Sequence, residues 1–229
     1  MAVILKSIIK AISIDCVIFG YADSTLEILL RKRAVQPSKG MWALPGGFVN
    51  KGERVLEAAQ RVLEQTTGVR NTYLEEVGVF DTLDRYPLWR VFTIGHVALI
   101  SPDQYALEPG SDSTEVRWFP IHDVPKLPFD HLNIMQVALE KLRKRVRYQP
   151  IGFEILPKKF TLPQLQRLYE VILGKDLDKR NFRKKILGMH FVRRLPETDR
   201  NSGRRPAFLY EFDSEKYEKL LRQGFIFEL

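Results

Sequence analysis

PGGFVNKGERVLEAAQRVLEQTTGV, residues 45–69, is the stretch from which the fold is read. Val55, Ala59, Val62 and Leu63 recur at helical spacing, which predicts a helix from Arg54 to Thr66 with one face able to pack on a sheet. Gly68 is placed to stop that helix, and Gly46-Gly47 permit a tight turn before it. Glu53 and Arg61 are positioned to pair and staple the loop to the helix. Glu57 and Glu64 read as solvated surface residues.

The same stretch resembles the Nudix box through Gly47, Glu53, Arg61, Leu63, Gly68 and Val69. In that family a loop-helix-loop carries three glutamates that hold Mg²⁺ against a substrate diphosphate, because Mg²⁺ takes hard oxygen ligands and bridges phosphate charges. Here those positions read Val62, Gln65 and Thr66, so the three carboxylates are absent. The resemblance therefore implies a kept scaffold without its metal centre. No catalytic residue, metal ligand or cofactor is assigned.

On either side of the box, Ile12–Tyr21 and Leu26–Arg33 read as strands joined by the turn signal Ala22-Asp23-Ser24. Met41–Leu44 leads into the box as a short strand. Tyr73–Asp81, Arg90–Ile100 and Glu115–Phe119 are further strands, rich in Val, Phe and Ile. Asp130–Arg147 is an amphipathic helix on Met135, Leu139, Leu142 and Val146. Strands held between the box helix and this late helix fit an α/β fold, the Nudix α/β/α sandwich with a mixed sheet. His96, in an apolar strand, reads as a core histidine. Two domains are expected: an effector-sensing domain over residues 1–148 and a DNA-binding domain over residues 149–229.

DRYPLWRV, residues 84–91, lies where related regulators and ADP-ribose-handling Nudix proteins have an arginine-rich stretch. Arg85, Pro87 and Arg90 match; Tyr86, Leu88 and Trp89 depart. Arginine donors beside aromatic faces suit a sugar or nucleotide. The expected effector site is Glu53, Arg85, Trp89 and Arg90, with Lys32 and Arg33 as further cations. An expected arginine is replaced by Leu88, and no carboxylate remains to hold a metal. The reading therefore favours a neutral, arabinose-like pentose over ADP-ribose.

After Tyr148-Gln149-Pro150 the composition shifts. Thr161 with Gln164 forms a capping-box pattern, and Leu162, Leu165, Tyr169 and Ile172 make one apolar helix face. Gly174 stops that helix, Asp178 caps the next, and Phe182, Ile186 and Met189 point inward from it. Helix, short turn and basic helix is the helix-turn-helix plan. Phe191–Leu195 and Ala207–Phe212 are strands around a basic tip, the second with Phe208, Tyr210 and Phe212 on one face. A last helix runs to Gln223 with Tyr217, Leu220 and Leu221 inward. This block resembles the winged helix-turn-helix appended to Nudix-related transcriptional regulators, the NrtR-like family, most closely around Asp178–Lys185. The resemblance implies a homodimer on a pseudo-palindromic duplex operator. Arg180 and Asn181 are expected on base edges, and Arg183, Lys184, Arg204 and Arg205 on phosphates.

The net charge of +8 is uneven: +2 over residues 1–150 and +6 over 151–229. That asymmetry points to a polyanionic partner for the C-terminal part. A lone cysteine, Cys16, excludes an internal disulfide or a cysteine-based zinc cluster. No apolar run reaches the roughly 18 residues of a membrane span, and a cytoplasmic protein is expected. The leading expectation is an effector-responsive DNA-binding transcriptional regulator with a catalytically inactive Nudix sensor, controlling sugar or NAD/ADP-ribose metabolism. The alternative is a working Nudix pyrophosphatase acting on ADP-ribose or a related nucleotide.

Overall fold

The computed structural model describes residues 11–199 and 206–228. It divides into two compact units, one over Ala11–Ala22 and Leu26–Glu140 and the other over Asp23–Thr25 and the described residues from Lys141 onward.

The first unit is built on one mixed sheet. Strands β1 (Ala11–Ala22) and β2 (Thr25–Arg33) are neighbours, followed by β3 (Trp42–Ala43), β4 (Gly46–Phe48), β5 (Glu75–Phe80), β6 (Val91–Ile100) and β7 (Ser113–Pro120). The main path runs β3-β2-β1-β6-β5, with β4 on β1 and β7 on β2. β1 and β6 are parallel from Ala11↔Val91 to Gly20↔Ile100, while β4 meets β1 antiparallel at Ser13↔Phe48 and Asp15↔Gly46. Asp23 and Ser24 take positive φ between β1 and β2, as a tight hairpin turn requires.

Helix α1 (Val55–Thr67) is the box helix. Its Ala58, Ala59 and Leu63 pack with Ile14, Cys16 and Ile18 of β1 in one buried cluster. Gly68 ends it in the left-handed region, donating to the Glu64 carbonyl at 2.8 Å. Helix α2 (His131–Tyr148) supplies Ile134 against Gly95 of β6. His96 is buried, its Nδ1 3.3 Å from the Ile94 carbonyl.

In the second unit β8 (Phe160–Thr161), β10 (Ala207–Phe212) and β9 (Val192–Asp199) form an antiparallel sheet in that order. Helices α3 (Leu162–Leu173), α4 (Lys179–Gly188) and α5 (Ser214–Arg222) pack around it. Phe191 is the centre of the core, with Phe153, Phe212, Tyr217, Phe225 and Phe227 all within about 6 Å of its ring. Arg143, from the second half of α2, donates to the Ile172 carbonyl at the end of α3. The whole is the mixed-sheet α/β/α sandwich followed by a winged helix.

Two expectations are corrected, that Phe208 shares a face with Tyr210 and Phe212 and that Leu221 points inward. Phe208 is exposed, because a register irregularity between Phe208 and Tyr210 breaks the alternation; the Arg194 guanidinium lies over its ring at 3.4 Å. Leu221 is exposed too, since α5 is short and only Tyr217 and Leu220 turn partly inward. Among the described residues no helix is long and apolar enough to cross a membrane.

The capping box of α3 is formed as expected: Gln164 N–H donates to Thr161 Oγ1 at 3.3 Å and Thr161 N–H to Gln164 Oε1 at 2.7 Å. Replacing Thr161 with Ala should lower stability by about 1 kcal/mol. Urea denaturation followed by circular dichroism measures this.

Candidate functional site

The box glycines are fixed by what faces them. A Cβ on Gly46 would stand 2.2 Å from Asp15 Oδ1, and one on Gly47 3.1 Å from Val62 Cγ2. The turn therefore closes on β1 and α1 with no side chain between. Glu53 is held by Arg61, whose Nε and Nη2 donate to its two carboxylate oxygens at 2.8 and 2.6 Å, and by the Asn50 N–H. Arg61 also donates to the Phe48 carbonyl. This fork, led by Arg61, depresses Glu53 to about 2. Glu57 accepts from Arg54 N–H at the start of α1, and Glu64 pairs with Arg70.

Beside the turn opens a cavity of about 520 Å³. Its cations are Arg31, Arg33, Arg61 and Arg85, and its rings include Phe48, Tyr86, Phe129 and His131. The rings form a continuous wall: Phe48–Tyr86 centroids lie 6.1 Å apart, Tyr86–Phe129 5.5 Å and Phe129–His131 5.3 Å. Volume and lining suit a nucleotide-sized ligand with an aromatic platform and an anionic part.

Arg85 is buried and held by two acids. Its Nε and Nη2 donate to Asp130 at 3.0 and 2.7 Å, and Nη2 reaches Asp15 at 3.2 Å. Asp15 is buried, and burial raises its pKa to about 7 despite Arg85. His131 Nδ1 accepts from Leu44 N–H at 3.1 Å, which leaves Nε2 to carry the proton, 3.6 Å from Asp15 Oδ1. Burial and the surrounding arginines lower His131 to about 3, so it is neutral.

Of the effector residues expected from sequence, the cavity gathers only Arg85, together with Arg33. Glu53 stands outside the lining, engaged by Arg61. Trp89 is outside it as well, half exposed and 5.2 Å from Tyr86. Arg90 donates to the Thr82 carbonyl and covers Phe92. Lys32 is half-buried and pairs with Glu115 at 4.0 Å. Sequence reasoning did not single out Asp15, Arg31, Asp130 or His131. The one local signal was a lone aspartate in the apolar strand ISIDCVIFGY.

The family's metal positions do not fit a hard divalent cation. Val62 is buried against Gly47, Thr66 Oγ1 bonds the Val62 carbonyl at 2.7 Å, and Gln65 Oε1 accepts from Arg61 Nη1. Among the described residues no group of three or more His, Cys, Asp or Glu is placed to hold an ion.

In the second unit the turn between α3 and α4 is locked by side chains. Glu170 Oε1 accepts from Leu177 N–H and from Gln166 Nε2, which also donates to the Leu177 carbonyl. Asp178 caps α4 by accepting from Asn181 N–H at 2.8 Å. Phe182 and Ile186 are buried, so Arg180, Asn181, Arg183, Lys184 and Lys185 all face outward. Arg204 and Arg205, expected at the tip between β9 and β10, lie outside the described residues.

The family model of the NUDIX domain matches residues 10–139, and that of the NrtR DNA-binding winged helix domain matches 152–212. The chain is 34% identical over 212 residues to an "ADPR responsive transcriptional repressor NtrR" of Acinetobacter baylyi, covering 90% of this chain and 83% of the relative. A crystal structure of Shewanella oneidensis NrtR complexed with a 27mer DNA superposes with a TM-score of 0.75 at 29% identity, covering 90% of this chain and 95% of that one. The Nudix domain of the same Shewanella protein, complexed with ADP ribose, gives 0.55 at 30% identity, covering 62% and 97%.

The buried acid predicts a pH dependence. The native state keeps a proton on Asp15 up to about pH 7, whereas the unfolded chain releases it near 4. Native protein thus binds more protons in that window, and stability falls as pH rises through it. His131 acts with the opposite sign and touches Asp15, so the comparison with Asp15→Asn is made in a His131→Gln background, where the imidazole no longer contributes. In that background, stability relative to the Asp15→Asn variant should fall by about 1 kcal/mol per pH unit between about pH 4 and 7. Urea midpoints measured across pH provide the check.

Proposed function

This chain belongs to the NrtR family, and we propose that it is a transcriptional regulator whose Nudix cavity binds ADP-ribose and thereby changes the affinity of its winged helix for operator DNA. The observation that carries the effector reading is the cavity itself. Several guanidiniums sit beside a wall of aromatic rings, which suits a nucleotide with a diphosphate better than the neutral pentose favoured from sequence. Supporting it, the Acinetobacter relative is named as ADP-ribose responsive and the Shewanella Nudix domain was crystallised with ADP-ribose.

Within the cavity, the Tyr86–Phe129 wall takes the base or a ribose face. Arg85 is already committed to Asp15 and Asp130, so its role is to position the cavity wall. On DNA, α4 enters the major groove with Arg180 and Asn181 at its N-terminal turn, and Arg183 and Lys184 meet phosphates. The protein acts as a homodimer on two half-sites. Coupling requires ADP-ribose to bind the two DNA-affinity states unequally, and by linkage DNA must change ADP-ribose affinity by the same factor.

The protein turns over no diphosphate in this reading. Phosphoryl transfer depends on neutralising developing charge, and α1 offers valine, glutamine and threonine where carboxylates would hold the metal. ADP-ribose incubated with Mg²⁺ should stay intact, as followed by chromatography. Saturable, Mg²⁺-stimulated hydrolysis abolished by Glu53→Gln would instead establish the pyrophosphatase.

Fluorescence anisotropy with duplexes selected from a random pool tests the regulator. ADP-ribose should shift the DNA Kd by at least about fivefold. Arg180→Ala and Asn181→Ala should cost about 1–3 kcal/mol, mainly on the selected site. Lys184→Ala should weaken all duplexes alike and lower the salt slope by about one. Selected and random duplexes bound equally by wild type would count against sequence-specific reading.

A further inference from the structure

The four guanidiniums of the cavity are not equivalent. Arg85 is answered by Asp15 and Asp130, and Arg61 by Glu53. Arg31 and Arg33, two residues apart on β2, have no carboxylate in ion-pair contact among the described residues.

Arg31 is only 3% exposed. It donates Nη1 to the Asp112 carbonyl at 2.9 Å and Nη2 to the Gly46 carbonyl at 3.1 Å, while its buried Nε–H has no partner. Arg33 donates Nε to the Pro37 carbonyl at 2.8 Å and lies over the Phe129 ring at 5.4 Å. Burial first, and then the neighbouring Arg33 charge, lower Arg31 to about 10, which leaves it cationic at neutral pH; burial lowers Arg33 as well. Asp15 and Asp112 act on both only from beyond ion-pair distance, and two like charges sunk together with so little direct compensation are destabilising unless something else supplies negative charge. Carbonyl dipoles orient them but do not neutralise them.

We propose that the Arg31–Arg33 pair is the anion-holding corner of the cavity and takes the diphosphate of the effector without a divalent cation. The proposal rests on the effector reading above and deepens it. Two guanidiniums match the two charges of an internal diphosphate, and their planar forks offer paired N–H donors to its oxygens. They replace on β2 the positive charge that a metal would have brought to α1, where the side chains present do not fit one.

Calorimetric titration of the full-length protein with ADP-ribose and, separately, inorganic pyrophosphate, each in EDTA and in Mg²⁺, tests it. The ADP-ribose Kd should differ less than about twofold between EDTA and Mg²⁺. Arg33→Gln should weaken ADP-ribose about 10- to 100-fold. Arg31→Lys, which keeps the charge but loses the fork, should weaken it by a smaller factor. Thermal melts verify that both variants are folded; if Arg31→Lys is not, Arg33→Gln alone carries the test. ADP-ribose binding that requires Mg²⁺, or that ignores Arg33→Gln, overturns this proposal while leaving ADP-ribose as effector. Pyrophosphate binding lost in Arg33→Gln without ADP-ribose binding upholds the anion corner and overturns the effector. Binding of neither overturns both.

Discussion

One buried guanidinium ties the sensing unit together. Arg85 comes from the loop before β6, and its side chain reaches Asp15 in the central strand and Asp130 at the threshold of α2. Desolvating a guanidinium and two acids is unfavourable, and it is offset by sharing the planar fork between Asp130 and Asp15, the latter holding its proton up to about pH 7. Removing the arginine would strand two acids in the interior. Removing either acid would shift the whole proton balance of the cavity floor. The position of the aromatic wall, carried on the same loop through Tyr86, depends on this anchor.

Around it the box turn is held by absence as much as by contact. Gly46 and Gly47 leave no room for a side chain against Asp15 and Val62. The Glu53–Arg61 fork then fixes the loop above them. The scaffold on which relatives mount a metal is thus retained through packing and hydrogen bonds that never involved the metal. Carboxylates can be lost from α1 without loosening the fold, since Val62 fills its place as core.

What was legible in the sequence was what is local. The box helix, its glycine stop, the Glu53–Arg61 staple, the Thr161 and Asp178 caps and the outward basic face of α4 all arise from spacing within a few turns. The cavity was not legible in the same way. Arg85 finds Asp130 and Asp15 at separations of 45 and 70 residues, and no periodicity announces such a meeting. Arg31 looked like an ordinary strand residue because alternation says which face it takes, not what lies opposite. Phe208 and Leu221 depart for a related reason: a register irregularity and a short terminal helix break the regular pattern from which the shared face of Phe208 and the inward place of Leu221 were read.

Helix α2 has a consequence for how the protein unfolds. It is continuous from His131 to Tyr148, yet the division between the two compact units falls inside it. One end is pinned by Asp130 and His131 at the cavity, and the other engages α3 through Arg143 and Ile172. Helix formation is cooperative along its length. Fraying of α2 is therefore expected to start from whichever end loses its tertiary partners, so amide hydrogen exchange along His131–Tyr148 would report on its two ends separately.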